Sequence, residues 1–316
     1  MKSRLDQILR SASTTKSVLI RENEDLSKRT TFRIGGKAKL FIEPFDEIAL
    51  GTLVKFFHDH HIPWKIIGAG SNVLVNDEGV EEPIVSLRSF KHDINVESET
   101  VTVAGKHSSR KIVVSVDAGM SLKQVLRLCA RFGWGGCEFL TGIPATIGGA
   151  VFMNAGTSDG VMADIISQIE LMTPSGEIFS TNVSAFSPGY RSLGIPEGHI
   201  VLKARLELVE ETPERVFQRM RAIFLKRKST QPITHPSAGC IFKNPPAPHP
   251  PAGWLIDQCG LKGCRIGDAQ ISPIHANWIV NLGNAKSREV RELINYAREK
   301  VLQKFGIRLE EEIKLW

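Results

Sequence analysis

Two glycine-rich stretches of this chain offer chemistry that a main chain can perform. The first is Gly68-Ala69-Gly70-Ser71-Asn72, set between the strand-like pieces Ile66-Ile67 and Val73–Val75. The second runs from Gly136 to Gly156, GCEFLTGIPATIGGAVFMNAG, with five glycines and almost no charge. Without a Cβ, backbone N–H groups can approach a flat or anionic ligand that side chains would hold off. The longer run reads equally as a packed turn between core elements; glycine makes it a poor helix and a poor strand. The shorter loop looks like the opening of a dinucleotide-binding unit, but it leads into a strand. No helix N-terminus then waits for a phosphate, and loop N–H groups with the Ser71 and Asn72 side chains must hold one. A lone G-x-G is otherwise a plain turn.

The elements that must position these stretches follow from apolar spacing. Leu50, Leu53, Val54 and Phe57 recur at helical intervals between Asp46 and His60. Ser121 and Gln124 form a capping box before Leu122, Val125, Leu126 and Cys129, and Gly133 ends that helix. Short β-branched strands fill 83–118, a hairpin turning at 173–176 joins Ile165–Met172 to Glu177–Ser180, and Ile200–Leu208 is another strand. Thr212-Pro213 opens a helix with Val216, Met220, Ile223 and Phe224 on one face, ending in Lys226-Arg227-Lys228. A short helix around Trp254–Cys259, strands at Ala269–Ile271 and Trp278–Asn281, a long helix capped by Ser287 and stopped by Gly306, and a closing strand Arg308–Lys314 complete the chain. A short amphipathic helix is also expected over 4–12. Strands and helices alternate without a regular period, which predicts an α+β fold in two or three domains.

Composition narrows the class. The chain has 316 residues, 42% hydrophobic and 23% charged, as soluble globular proteins do. A net charge of +6 arises from 40 basic residues interleaved with 34 acidic ones, and aromatics are only 7%. That dispersion argues against a nucleic-acid surface and suits a phosphorylated small ligand. Five cysteines without a C-x-x-C pair imply a reducing compartment, and no metal site is expected. With no signal-like N-terminus and no bilayer-length apolar run, a cytoplasmic protein without membrane attachment is expected.

Seven motifs, TTFRIGG, GAGSNVLV, GIPATIGGAVFMNAG, YRS, SAGCIFKNP, GDAQISPIHANWIVN and LEEEIK, occur in an order that resembles the UDP-N-acetylenolpyruvoylglucosamine reductases. The resemblance covers nearly all of the chain from Thr30 onward. It implies two FAD-binding subdomains of the vanillyl-alcohol-oxidase type, 1–84 and 85–210, and a substrate-binding domain, 211–316. It also implies FAD as cofactor, NADPH as hydride donor and a UDP-linked amino sugar as substrate; the sequence itself does not give an oligomeric state, and a monomer is the expectation. The short interval from Arg191 to Cys240 resembles the shorter class of the family, which lacks an inserted lid element.

On this resemblance Arg33, Gly68, Ala69, Gly70, Ser71, Asn72, Ile143, Pro144, Ala145, Thr146, Gly148, Gly149, Asn154 and Gly156 hold FAD. Tyr190, Asn244 and a lysine of the basic cluster, Lys226 or Lys228, bind substrate, while Gln270, His275 and Asn277 bind it or brace the site. Arg191 stabilises the charge that grows on the substrate carboxylate, which a guanidinium can grip with two parallel hydrogen bonds. Glu312 orients or polarises the carboxylate side, and strand alternation would set Glu310 and Glu312 on one face with Glu311 on the other.

Three departures stand out. Glu311 replaces a proline of the family pattern, Leu193 replaces a serine, and Cys240 replaces the serine that donates a proton. A thiol, with an ordinary pKa of about 8.5, is a stronger acid than a hydroxyl, so donation survives the exchange. The rival readings are another FAD-dependent oxidoreductase of the same superfamily, or a flavin protein that has lost catalysis.

Overall fold

The computed structural model describes residues 17–90, 92–104 and 107–316, so the helix expected over 4–12 lies outside the described residues. In chain order the elements begin with β1 (Val18–Asp25), β2 (Lys37–Pro44), α1 (Glu47–Asp59), β3 (Lys65–Ile67), β4 (Val73–Leu74) and β5 (Ile84–Ser86). Next come β6 (Ile94–Ala104), β7 (His107–Asp117), α2 (Leu122–Phe132), β8 (Trp134–Gly135), α3 (Ile147–Phe152), β9 (Gly156–Thr157) and β10 (Gly160–Val161). Then follow β11 (Ile166–Met172), β12 (Ile178–Asn182), β13 (Ile200–Glu210), α4 (Pro213–Thr230), β14 (Ser237–Cys240) and α5 (Ala252–Gln258). The chain closes with β15 (Arg265–Ile266), β16 (Ala269–Ile271), β17 (Trp278–Asn281), α6 (Ser287–Phe305) and β18 (Lys314–Leu315).

The chain divides into two compact units. Of the described residues, the first holds those of 17–21, 40–69 and 82–225, and the second those of 22–39, 70–81 and 226–316. In the first unit β2 and β3 flank β5 in parallel, and β12-β11-β13-β7-β6 form an antiparallel sheet with β8 beside β13. Leu50, Leu53, Val54 and Phe57 of α1 and Leu122, Val125, Leu126 and Cys129 of α2 are buried in its apolar core, as their spacing predicts. The Ser121–Gln124 capping box is made, and Gly133 ends α2 in the left-handed conformation at φ 74. In the second unit β14-β17-β16-β15 form an antiparallel sheet, and α5 and α6 share an apolar core with Ile271 and Ile279 from one of its faces.

Three local expectations are corrected. The long glycine run does contain a helix: Ile147–Phe152, capped by the Thr146 side chain accepting from Gly149 N at 3.3 Å. Packing overrides propensity there, since Ile147, Ala150 and Val151 are buried and a Cβ on Gly148 would stand 2.9 Å from that of Ala118. Lys286, not Ser287, is the residue before α6. The Asp77 carboxylate accepts from Ser287 N at 2.8 Å, a cap from far along the chain that local sequence does not reveal. The closing strand shrinks to Lys314–Leu315. Leu309 and Ile313 are buried four residues apart, an even spacing that agrees with alternation through Glu310, Glu311 and Glu312.

Candidate active site

In the first unit, the two glycine stretches meet. A Cβ on Gly68 would stand 2.5 Å from Thr146 Oγ1, so only glycine lets the short loop lie against the start of α3. Thr146 is buried, pairs with Ser121 across an isolated bridge, and is followed by Ile147 N donating to Met120 O at 2.8 Å. Ile143, Ala145, Gly148 and Gly149 remain partly exposed and Pro144 exposed.

Arg191 stands in a tight turn. Gly189 and Ser192 exchange main-chain hydrogen bonds of 2.8 and 3.3 Å, leaving Tyr190 and Arg191 at the tip. Arg191 has φ 56, a region that costs a non-glycine residue about 1 kcal/mol or more. Three bonds lace this turn to the end of the glycine run. Asn154 Nδ2 donates to Gly189 O at 3.1 Å, the Arg191 guanidinium donates to Gly156 O at 2.9 Å, and Leu193 N donates to Phe152 O at 3.3 Å. Asn154 is itself buried with φ 41, and its side-chain oxygen accepts from Ala163 N at 3.0 Å. The Arg191 guanidinium lies 5.3 Å from the centre of the Tyr190 ring, which is 53% exposed. Leu193, in place of the expected serine, is fully buried in the apolar core and anchors the turn from below.

At the entrance to the run, buried Glu138 accepts from Gly136 N at 2.8 Å and from Arg219 at 2.9 Å. Arg219 also pairs with Glu211, whose carboxyl its guanidinium holds below the usual range.

In the second unit, Cys240 ends β14 beside a bulge. Ser237 pairs with Val280 and Cys240 with Trp278, so β14 carries one residue more than β17 over that interval. Gly239, at φ 79, absorbs the extra residue, an arrangement that bends a strand and re-aims the side chain that follows. Glu312 N donates to Ile241 O at 2.8 Å, which sets the closing segment against the residue after Cys240. Asn72 joins the same group: its Nδ2 donates to Glu312 O at 3.1 Å and its carbonyl accepts from Lys314 N at 2.9 Å. Cys240 and Glu312 are both partly exposed.

Other residues named from sequence fall around this frame. Asn277 is buried and grips Phe242 at both ends, accepting from its N at 2.9 Å and donating to its O at 2.8 Å, so it braces. Asn244 Oδ1 accepts from Ala252 N at 3.1 Å, at the start of α5. Gln270 donates to Gly263 O at 3.1 Å. Lys226 is exposed near the end of α4. Lys243 pairs with Glu310 at 3.3 Å, and Glu311 pairs with Arg298. Arg33 is exposed, has φ 56, and its carbonyl accepts from Asn281 Nδ2 at 3.4 Å. Burial holds the His275 imidazole below its ordinary pKa, and its Nδ1 accepts from Asn277 N at 3.3 Å. Sequence reasoning missed Asn281, which ties Phe32 O to the start of α6, and Trp278, the partner of Cys240. An asparagine directly after the β-branched pair Ile279-Val280 is the signal that was there to find.

A flat dinucleotide needs main chain that faces open space where a Cβ would point. Gly136 and Gly189 have no heavy atom within 4 Å of that position, and Gly149 has only Thr146 Oγ1, at 3.4 Å. Of the glycines expected to hold FAD, Gly149 thus leaves room for a ligand such as FAD, while Gly68, Gly70, Gly148 and Gly156 pack against Thr146, Arg29, Ala118 and Gly160.

Comparison with known proteins agrees. Residues 38–182 match the FAD binding domain family, and residues 231–316 match the C-terminal domain of UDP-N-acetylenolpyruvoylglucosamine reductase. The chain is similar to the reductase of Syntrophobacter fumaroxidans, with 40% identity over 93% of this chain and 82% of the relative. Against that of Moorella thermoacetica the identity is 38%, over 93% and 92% of the two chains. Among solved structures, the UDP-N-acetylenolpyruvylglucosamine reductase of Thermus caldophilus is similar with a TM-score of 0.74 and 36% identity, covering 95% of this chain and 98% of that one.

Proposed function

We propose that this chain, which belongs to the UDP-N-acetylenolpyruvoylglucosamine reductase family, draws its hydride from NADPH and its proton from Cys240. It is a flavin-dependent oxidoreductase that uses FAD to reduce the enolpyruvyl ether of UDP-N-acetylglucosamine in peptidoglycan synthesis. When bound, FAD supplies the relay that accepts a hydride from NADPH and passes one to the outer carbon of the enolpyruvyl group.

The loop Gly68–Asn72 and the run Ile143–Gly149 would hold the cofactor, with Arg33, Asn154 and Gly156 nearby in role. The lacing of Arg191 to the end of that run carries this reading, because it ties the cation to the cofactor-holding main chain. As the outer carbon gains hydride, negative charge grows on its neighbour and spreads into the carboxylate. A preorganised guanidinium stabilises that charge without reorganising, and Arg191 supplies it. Glu312 orients the carboxylate side. The neutral Cys240 thiol then gives its proton to the neighbouring carbon, and the thiolate recovers a proton from solvent. Tyr190 and Asn244 bind the substrate, and Lys226 or Lys228 suits its diphosphate.

The working division is 1–84 and 85–210 for cofactor and 211–316 for substrate, in a monomer. Five free cysteines support a reducing, cytoplasmic setting. Among the described residues no helix is long and apolar enough to cross a membrane. The test is a pair of variants followed anaerobically. Cys240→Ala should still bleach with NADPH but fail to regain flavin colour with the enolpyruvyl substrate, whereas Cys240→Ser should regain it. Equal recovery in Cys240→Ala and wild type would remove Cys240 as the donor.

A further inference from the structure

Trp278 is the cross-strand partner of Cys240. The hydrogen bond from Ile241 N to Asn277 O, 2.9 Å, flanks the pair, which makes it one of the narrow pairs whose members exchange no hydrogen bonds. Side chains approach closest in such pairs and leave the sheet on the same face. Ile279, the next residue, lies in the apolar core with α5 and α6, so alternation turns Trp278 to the opposite face. Only 8% of Trp278 is exposed, and its indole N–H is fully buried with no hydrogen-bond partner among the described residues. An indole nitrogen can only donate, and a buried donor without an acceptor is costly. A tryptophan whose sole purpose was to fill space would be served as well by phenylalanine.

We propose that the Trp278 N–H is a substrate-binding donor that receives a carboxylate oxygen of the enolpyruvyl group beside Cys240. The inference rests on the reductase reading. The carbon that takes the Cys240 proton bears the carboxylate directly, so an atom placed for protonation carries its carboxylate oxygens within one bond more. Trp278 is the side chain opposite Cys240, and its donor matches an anionic acceptor. Trp278 then fixes which face of the reacting carbon meets the thiol. The departure from serine to cysteine at position 240 and the indole across from it belong to one local arrangement.

The test compares wild type with Trp278→Phe, which keeps an aromatic ring and deletes the donor. With the FAD-loaded protein, binding of the enolpyruvyl substrate is titrated through the flavin spectrum. The dissociation constant should rise about tenfold, while the rate of bleaching by NADPH and the melting temperature stay level. A side chain that only fills the core would show the reverse, a lower melting temperature with unchanged binding, and that result overturns the proposal. In proton–nitrogen correlation spectra, the indole signal absent from Trp278→Phe should move downfield when wild type is saturated with substrate. An unmoved signal also overturns it. If wild-type flavin is not reoxidised by the substrate at all, the reductase reading itself fails and takes the acceptor with it; reoxidation with an unmoved signal sinks only the role of Trp278.

Discussion

The turn that carries Arg191 and the bulge that carries Cys240 solve one problem in opposite ways. Each needs a residue with positive φ to aim its side chain. In the first unit the strained residue is the one proposed to act on substrate, Arg191 at φ 56, in a turn held by bonds from Asn154 and to Gly156. In the second unit Gly239 at φ 79 takes the conformation and Cys240 follows it. A long guanidinium on a strained turn needs lacing along its length, and the glycine run supplies it. A short thiol needs only a correctly bent strand, and a glycine supplies that at little steric cost. Strain therefore sits on the residue itself where the side chain must reach out from a turn tip, and beside it where the backbone does the aiming.

The largest effect expected from this contrast is in Arg191→Gly. Glycine relieves strain of about 1 kcal/mol, and the lost bond to Gly156 O offsets it by about the same amount. The thermal midpoint should hold, while reduction of the enolpyruvyl substrate falls about 10²–10³-fold, the size seen when one charge-stabilising donor is removed. A variant that unfolds, or one that stays active, would break the comparison. Gly239→Ala tests the other side. No heavy atom lies within 4 Å of where its Cβ would be, so the change isolates backbone conformation from crowding. It should cost about 1 kcal/mol by chemical denaturation and slow flavin reoxidation by about tenfold through a misaimed thiol, with bleaching by NADPH unaffected. Unchanged reoxidation would show that the bulge does not aim Cys240.

A smaller effect belongs to His275, packed so that a Cβ on Gly253 would stand 2.9 Å from its ring. Burial, with a lesser contribution from Lys262 and an opposing one from Asp257, sets its folded pKa below the ordinary 6.5. The unfolded chain thus takes up the proton first. This residue's contribution to stability is whole above about pH 6.5 and declines as pH falls toward the folded pKa. His275→Asn keeps an acceptor for Asn277 N and removes the titration. Its urea midpoint should fall less than that of wild type between about pH 6.5 and 5; an equal fall would assign the acid sensitivity elsewhere.

Much of this was legible in local pattern. The α1 stripe of Leu50, Leu53, Val54 and Phe57 and the α2 box of Ser121 and Gln124 depend only on near neighbours, and they form as read. What escaped depends on residues distant in the chain. Asp77 caps α6 from about two hundred residues away. Tertiary packing makes a helix of Ile147–Phe152 despite two glycines. The closing segment is bonded to Ile241 and Asn72, so what the triple glutamate lies against could not be read from its own period. For the proposed site, Arg191, Cys240 and Glu312 were singled out through the resemblance. That Asn154 laces the arginine turn and that Trp278 pairs with Cys240 across the sheet were not legible, because both join residues distant in the chain.

The most direct test of the reductase assignment is an anaerobic absorbance record of the purified holoprotein. NADPH should bleach the bound oxidised flavin, and UDP-N-acetylglucosamine enolpyruvate should restore its colour as UDP-N-acetylmuramate forms. Bleaching that this substrate does not reverse, or a protein that FAD cannot reconstitute, would contradict the account.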